Sequence, residues 1–190
     1  KPIQRSLMSD QNVLLARQPI YDTQQNLVAY ELLFRPEDKC DMPSFDGNIA
    51  TSRVLLNAFT EGDIEKISGG KPAFVNFTKE LLLSPPPFNP EHIVVEVLED
   101  IIIDADVVDA IKNLKQKGYR IALDDFVMDE RYKPLLPIAD IIKLELPAMN
   151  TDDLSSAINH LKQFNNTLLA EKIETIKEYK LCKELGCDLF

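Results

Sequence analysis

The sequence predicts an α/β fold in which strands and helices alternate along the chain. Three observations carry this. Runs of Val, Ile, Leu, Ala and Phe recur at 71–77, 92–98, 119–126, 140–146 and 167–173, continuous rather than alternating, as in strands buried on both faces. Amphipathic stretches with helical spacing lie among them, at 49–67, 104–117, 151–164 and 175–185. The first two apolar runs, 13–21 and 27–35, are separated only by Asp-Thr-Gln-Gln-Asn. That is too short for a crossover helix, so these two form an antiparallel hairpin.

Local signals bound the elements. Asp104 and Thr151 stand where helix N-caps belong, and Gly118 and Gly186 where C-caps need a left-handed residue. Pro85, Pro86 and Pro87 make a stiff local loop. No linker interrupts the chain, so residues 13–190 read as one domain after an N-terminal tail, 1–12. Such βα units fit either a doubly wound sheet or a closed (β/α) barrel. The GxGxxG turn of a dinucleotide-binding sheet is absent after the first strand.

Composition excludes several function classes. The 190 residues carry 21 Lys and Arg against 31 Asp and Glu, a net charge of −10, which argues against a general nucleic-acid surface and against DNA as a partner. No apolar run approaches the roughly 18 residues of a membrane span, and the first residues lack a secretory pattern. A soluble cytoplasmic protein is expected. Three cysteines without a CxxC, and only two histidines, make zinc a poor candidate and reduced thiols the simpler expectation.

An acidic or amide residue recurs inside or at the end of the apolar strands. Glu31 lies in AYELLFR, Asn76 in AFVNFT, Glu96 in IVVEVLED, Asp124 and Asp125 in IALDDF, Lys143 in DIIKLEL and Glu171 in LLAEKIE. In a parallel barrel the C-terminal strand ends converge on one mouth. Carboxylates gathered there repel by about 4 kcal/mol per close pair at an effective dielectric near 20, so a cation must sit among them. Oxygen ligands without His or Cys favour Mg²⁺ or Mn²⁺ in a two-metal site. Asp124 and Asp125 can share a site only where their strand gives way to a loop. Each residue also has a purely structural account. Glu96 or Glu171 could be an edge side chain, Asn76 a turn ligand, Lys143 the ion-pair partner of Asp124 or Glu171, and Arg35 a solvated strand terminus.

Together these motifs resemble the EAL domain, a family that hydrolyses cyclic di-GMP in bacteria. Glu31-Leu-Leu-Phe-Arg35 matches its name motif, with Leu for the central Ala. FVNFT at Asn76, EVLE at Glu96 and Glu99, DDFV at Asp124 and Asp125, IKLE at Lys143 and AEKIE at Glu171 and Glu174 match its later motifs in order. The opening LLARQPIYD with AYELLFR is similar to the branch in which an EAL domain precedes an HDOD output domain. The resemblance implies a (β/α)8 TIM-like barrel with an antiparallel first strand, and cyclic di-GMP as ligand. It implies that Glu31, Asn76, Glu96 and Asp124 hold one metal, Asp125 being shared or holding the second. Lys143 would position the attacking water, Glu171 would be its base and Arg35 would meet a substrate phosphate, with Glu99, Glu145 and Glu174 in support.

Three positions depart from the family pattern. Val127 replaces the Gly after DDF and is followed by MDERYKPLL rather than a Ser-rich loop that orders the acidic pair and supports a homodimer. Glu145 stands for Asp two places after the Lys, and Lys172 for the Gly after AE. Two functions follow as expectations: metal-dependent hydrolysis of cyclic di-GMP to the linear dinucleotide, or a degenerate module that binds the nucleotide or a protein partner and regulates an attached HDOD domain. Because GCDLF resembles the start of the family's last strand, the barrel's C-terminal part is expected to be missing.

Overall fold

Asp22 sets the first chain reversal. Its carboxylate accepts hydrogen bonds from the backbone N–H of Gln24 and Asn26, both at 2.8 Å, and from Asn26 Nδ2 at 2.9 Å, while Gln25 takes a left-handed φ of 66°. This local bonding is what Asp and Asn bring to turns, and it joins β2 (Val13–Tyr21) to β3 (Leu27–Pro36) in the antiparallel hairpin the short connection requires. The computed structural model describes residues 4–5, 13–36, 61–146 and 150–190. Residues 4–5, expected within the tail, form a two-residue strand, β1 (Gln4–Arg5), against β2.

The apolar runs that follow become β4 (Ala73–Phe77), β5 (Ile93–Val97), β6 (Arg120–Leu123), β7 (Ile141–Glu145) and β8 (Thr167–Glu171). All pair in parallel and in sequence order from β3 onward. Leu189 bridges parallel to Leu169 of β8 and antiparallel to Asp22, and Tyr21 and Phe190 exchange backbone bonds at 2.8 and 2.9 Å. Residues 188–190 therefore join β8 to β2, which completes a TIM-like circuit of hydrogen bonds.

Two apolar layers hold the sheet. The larger packs the strands against the helices and includes Val75, Val95, Ile121, Leu144 and Leu168. The smaller gathers Ala29, Phe74, Val94, Ala122, Ile141 and Leu169, one residue from each of six consecutive strands, with Ile20 from β2. Alternation along a strand sends these to one face and their neighbours to the other.

Among the described residues the α-helices are α1 (Glu61–Ser68), α2 (Lys79–Leu83), α3 (Ala105–Gln116), α4 (Thr151–Leu161) and α5 (Ile176–Leu185). Asp104 caps α3, accepting from Val107 N at 3.0 Å. The α4 cap corrects the expectation: Asn150, not Thr151, accepts from Asp153 N at 2.9 Å, and Thr151 is the first helical residue. Either side chain could cap, but with Asn150 in that role the helix begins one residue earlier than a Thr151 cap would place it. Thr175 and Glu178 form a reciprocal capping box on α5, and Gly186 ends it at a φ of 111°. Helix α2 was not expected, since its five residues are too few to show helical periodicity. Of the helix expected over 49–67, residues 49–60 lie outside the described residues, as does Cys40.

Candidate functional site

The functional candidates stand directly above the smaller apolar layer. Ala29, Phe74, Val94, Ala122, Ile141 and Leu169 are each two residues before Glu31, Asn76, Glu96, Asp124, Lys143 and Glu171. With a period of two, each strand therefore contributes an apolar residue to the floor and a polar one toward the C-terminal mouth. Asn76 and Glu96 are register partners on β4 and β5, as are Glu145 and Glu171 on β7 and β8.

Lys143 is the hub of this polar layer. Its Nζ lies 2.7 Å from both Glu96 Oε1 and Asp124 Oδ1, 3.0 Å from Glu171 Oε1 and 3.2 Å from Glu31 Oε1. It is 1% exposed, and Glu96 is fully buried. The cation demanded by the carboxylates is thus supplied in part by the protein, but one ammonium cannot balance four carboxylates. Glu96 contacts Lys143 through one oxygen, yet neither of its oxygens makes a well-directed hydrogen bond, and Asn76 Oδ1 has no hydrogen-bond partner among the described residues. A buried acceptor without a partner is costly, and these three atoms face a layer of further oxygen donors.

Asp124 and Asp125 converge because the strand ends before them. β6 stops at Leu123, earlier than the expected 119–126, and Asp125 takes a φ of 38°. The backbone around them is tied to both neighbouring strands, Asp124 N to Val97 O at 3.0 Å and Phe126 N to Lys143 O at 3.1 Å. As a result one oxygen each of Asp124, Asp125 and Glu171 lie within 4.8 Å of one another. Three convergent carboxylates, with Glu96 and Asn76 on the same polar layer of the strands, fit a hard divalent cation bound through oxygen.

Protonation follows from crowding. Burial pushes the Glu171 carboxyl up to about 7, with Lys143 pulling it back and Asp124 and Glu31 adding to the rise. Burial likewise lifts Asp125 to about 6, helped by Asp124, Glu145 and Glu99. Glu96 is driven well above the usual carboxylate range by burial, against the opposing pull of Lys143. Burial alone would lower Lys143, but Glu96, Glu31, Asp124 and Glu171 reverse this and hold it charged.

The remaining candidates divide. Glu145 stands at the rim beside Asp125, while Glu99 is exposed and its charge still reaches Asp125. Glu174 is exposed and gives its backbone N–H to Glu178 Oε2 at 2.9 Å, away from the cluster. The Arg35 side chain lies outside the described residues. Tyr132, in the loop that departs from the family pattern, is 1% exposed, its ring 5.1 Å from that of Phe126. Arg131 bonds the Tyr132 hydroxyl and Glu99 O, both at 3.0 Å, which anchors the altered loop beside the site. The sequence reading missed the Lys172–Glu145 ion pair, at 2.6 Å, although both residues had stood out separately. A cleft of about 530 Å³, lined among others by Gln18, Tyr21, Glu31, Glu171 and Lys172, opens onto the cluster. A larger cavity, about 850 Å³, includes Val28, Phe74, Lys115 and Leu189 in its lining and holds none of the candidate residues.

The motif order, the hairpin and the acidic mouth can now be set beside known proteins. The EAL domain profile matches residues 63–190. The chain belongs to the EAL domain family. Over 182 residues this EAL chain is 34% identical to the cyclic di-GMP phosphodiesterase CdgJ of Vibrio cholerae, covering 93% of the chain and 42% of CdgJ. It is 37% identical over 185 residues to the uncharacterized protein YuxH of Bacillus subtilis, covering 94% of the chain and 45% of YuxH. The chain thus spans less than half the length of these curated relatives. Its fold superposes with a TM-score of 0.72 on the EAL-containing YkuI protein of Bacillus subtilis, solved with its substrate cyclic di-GMP and calcium. That match has 18% identity and covers 94% of the chain and 53% of YkuI. Among the described residues of this EAL domain, no helix is long and apolar enough to cross a membrane.

Proposed function

We propose that this EAL domain hydrolyses cyclic di-GMP to the linear dinucleotide with a pair of divalent ions, Mg²⁺ or Mn²⁺. The observation that carries the proposal is the convergence of Asp124, Asp125 and Glu171 beside Lys143. Its support is a family relative named as a phosphodiesterase of that nucleotide and a structure of the same fold holding the nucleotide with calcium. Glu31, Asn76, Glu96 and Asp124 would hold one ion, with Asp125 shared or holding the second. Bound ions polarise the phosphodiester and lower the pKa of an attacking water.

The chain's own residues account for the rest. Glu171, raised to about 7, is a carboxylate basic enough to take a proton from water near neutral pH. Lys143, held charged 3.0 Å from Glu171, would fix that carboxylate and position the attacking water. Arg35 is assigned to a substrate phosphate. A cytoplasmic location, a following HDOD domain and a homodimer complete the proposed setting.

One observation favours a second reading, binding without turnover. The Lys143 ammonium already contacts four carboxylates and so competes with cations for them. Incubation of the protein with cyclic di-GMP and millimolar Mn²⁺ or Mg²⁺, followed by chromatography, decides between them. The expected product is the linear dinucleotide. Calorimetric binding with no product in either metal would establish the regulatory module instead.

A further inference from the structure

Two of the three departures from the family pattern touch each other. Lys172 follows Glu171 at the end of β8 and takes a φ of 55°, a conformation that glycine adopts without strain and lysine does not. Its Nζ pairs with Glu145 Oε1 at 2.6 Å. Glu145 ends β7, directly opposite Glu171 in the register, and its charge is felt at Asp125. It is thus placed to be a fourth member of the acidic cluster, yet among the described residues only Asp124, Asp125 and Glu171 bring their oxygens within 4.8 Å of one another.

The geometry points to Lys172 as a positioning residue of the ion site: by pairing with Glu145 it keeps a fourth carboxylate out of the Asp124, Asp125 and Glu171 cluster and so sets the cluster's charge. This rests on the proposal that the cluster binds a divalent ion. The pair works in both directions. A freed Glu145 adds an anionic oxygen donor at the rim, whereas a freed Lys172, half-exposed beside Asp125 and Glu171, offers those carboxylates a competing cation.

The test is a calorimetric titration of the protein with Mn²⁺, without substrate. Lys172→Met should tighten Mn²⁺ binding about threefold to tenfold, because the carboxylate count of a site tunes its affinity. Lys172→Gly should do the same while also removing the backbone strain. Glu145→Gln should weaken binding by a similar factor, and the double variant Lys172→Met with Glu145→Gln should return close to the parent. If both single variants weaken binding, or neither changes it, Lys172 has no such role and the inference is overturned while the ion site stands. If the unaltered protein binds no Mn²⁺, the proposed function and this inference both fall.

Discussion

Replacement of Lys143 by Met is expected to be among the most damaging single changes in this protein. The ammonium is buried between Glu31, Glu96, Asp124 and Glu171 at 2.7 to 3.2 Å. Removing one partner of a buried ion pair leaves uncompensated charge and costs about 3–5 kcal/mol. For a domain of this size that is a fall in melting temperature of about 6 to 20 °C, measured in chelator. Millimolar Mn²⁺ should recover much of the loss, because an ion then replaces the missing charge. Turnover of cyclic di-GMP should not recover with it. Lys112→Met is the contrast: its pair with Asp109 is exposed, and its loss should change stability by no more than about 0.5 kcal/mol. Equal effects of the two substitutions would contradict the assignment of Lys143 as the hub.

The second large effect concerns Glu171 and pH. Its carboxyl titrates at about 7 in the folded protein against 4.5 as the ordinary value, chiefly because it is buried. A carboxyl raised on folding favours the protonated folded state. Its contribution is fully present below about pH 4.5 and is lost as pH rises through about 7. The shift corresponds to a loss on the order of 3 kcal/mol. In chelator the melting temperature should therefore fall between about pH 5 and pH 7.5, by up to roughly 6 to 12 °C. Asp125 and Glu96 are raised as well and push in the same direction. Saturating Mn²⁺ should flatten the slope, since the ionised carboxylates then have a counter-ion. Glu171→Gln should keep only the part of the slope owed to Asp125 and Glu96 and should lower turnover about 10²- to 10⁴-fold, the usual contribution of a general base. A parent whose stability rises across this range would contradict the crowded-carboxylate account.

Much of this was legible in the sequence because strand periodicity is rigid. A polar residue two places after an apolar one shares its face, so Asn76 after Phe74 and Glu96 after Val94 had to meet at one mouth once the strands were parallel. The need for Asp124 and Asp125 to leave the strand was also visible, and the positive φ at Asp125 is how the chain does it. What could not be seen was distance between side chains on different strands. Lys143 could be read as a neutraliser of one or two carboxylates, but its contact with four of them depends on the barrel's curvature. Lys172 and Glu145 lie 27 positions apart, and only the β7–β8 register makes them neighbours. The Asn150 cap was missed for a simpler reason, because Asn and Thr are both good caps and sit side by side.

The central claim, that the acidic strand ends form a divalent-ion site, is tested most directly by equilibrium dialysis of the protein against Mn²⁺. The account predicts Mn²⁺ retained in stoichiometric amount by the parent, with loss when Asp124 is replaced by Asn. No Mn²⁺ retained at millimolar concentration, or retention unaffected by Asp124→Asn, would contradict it.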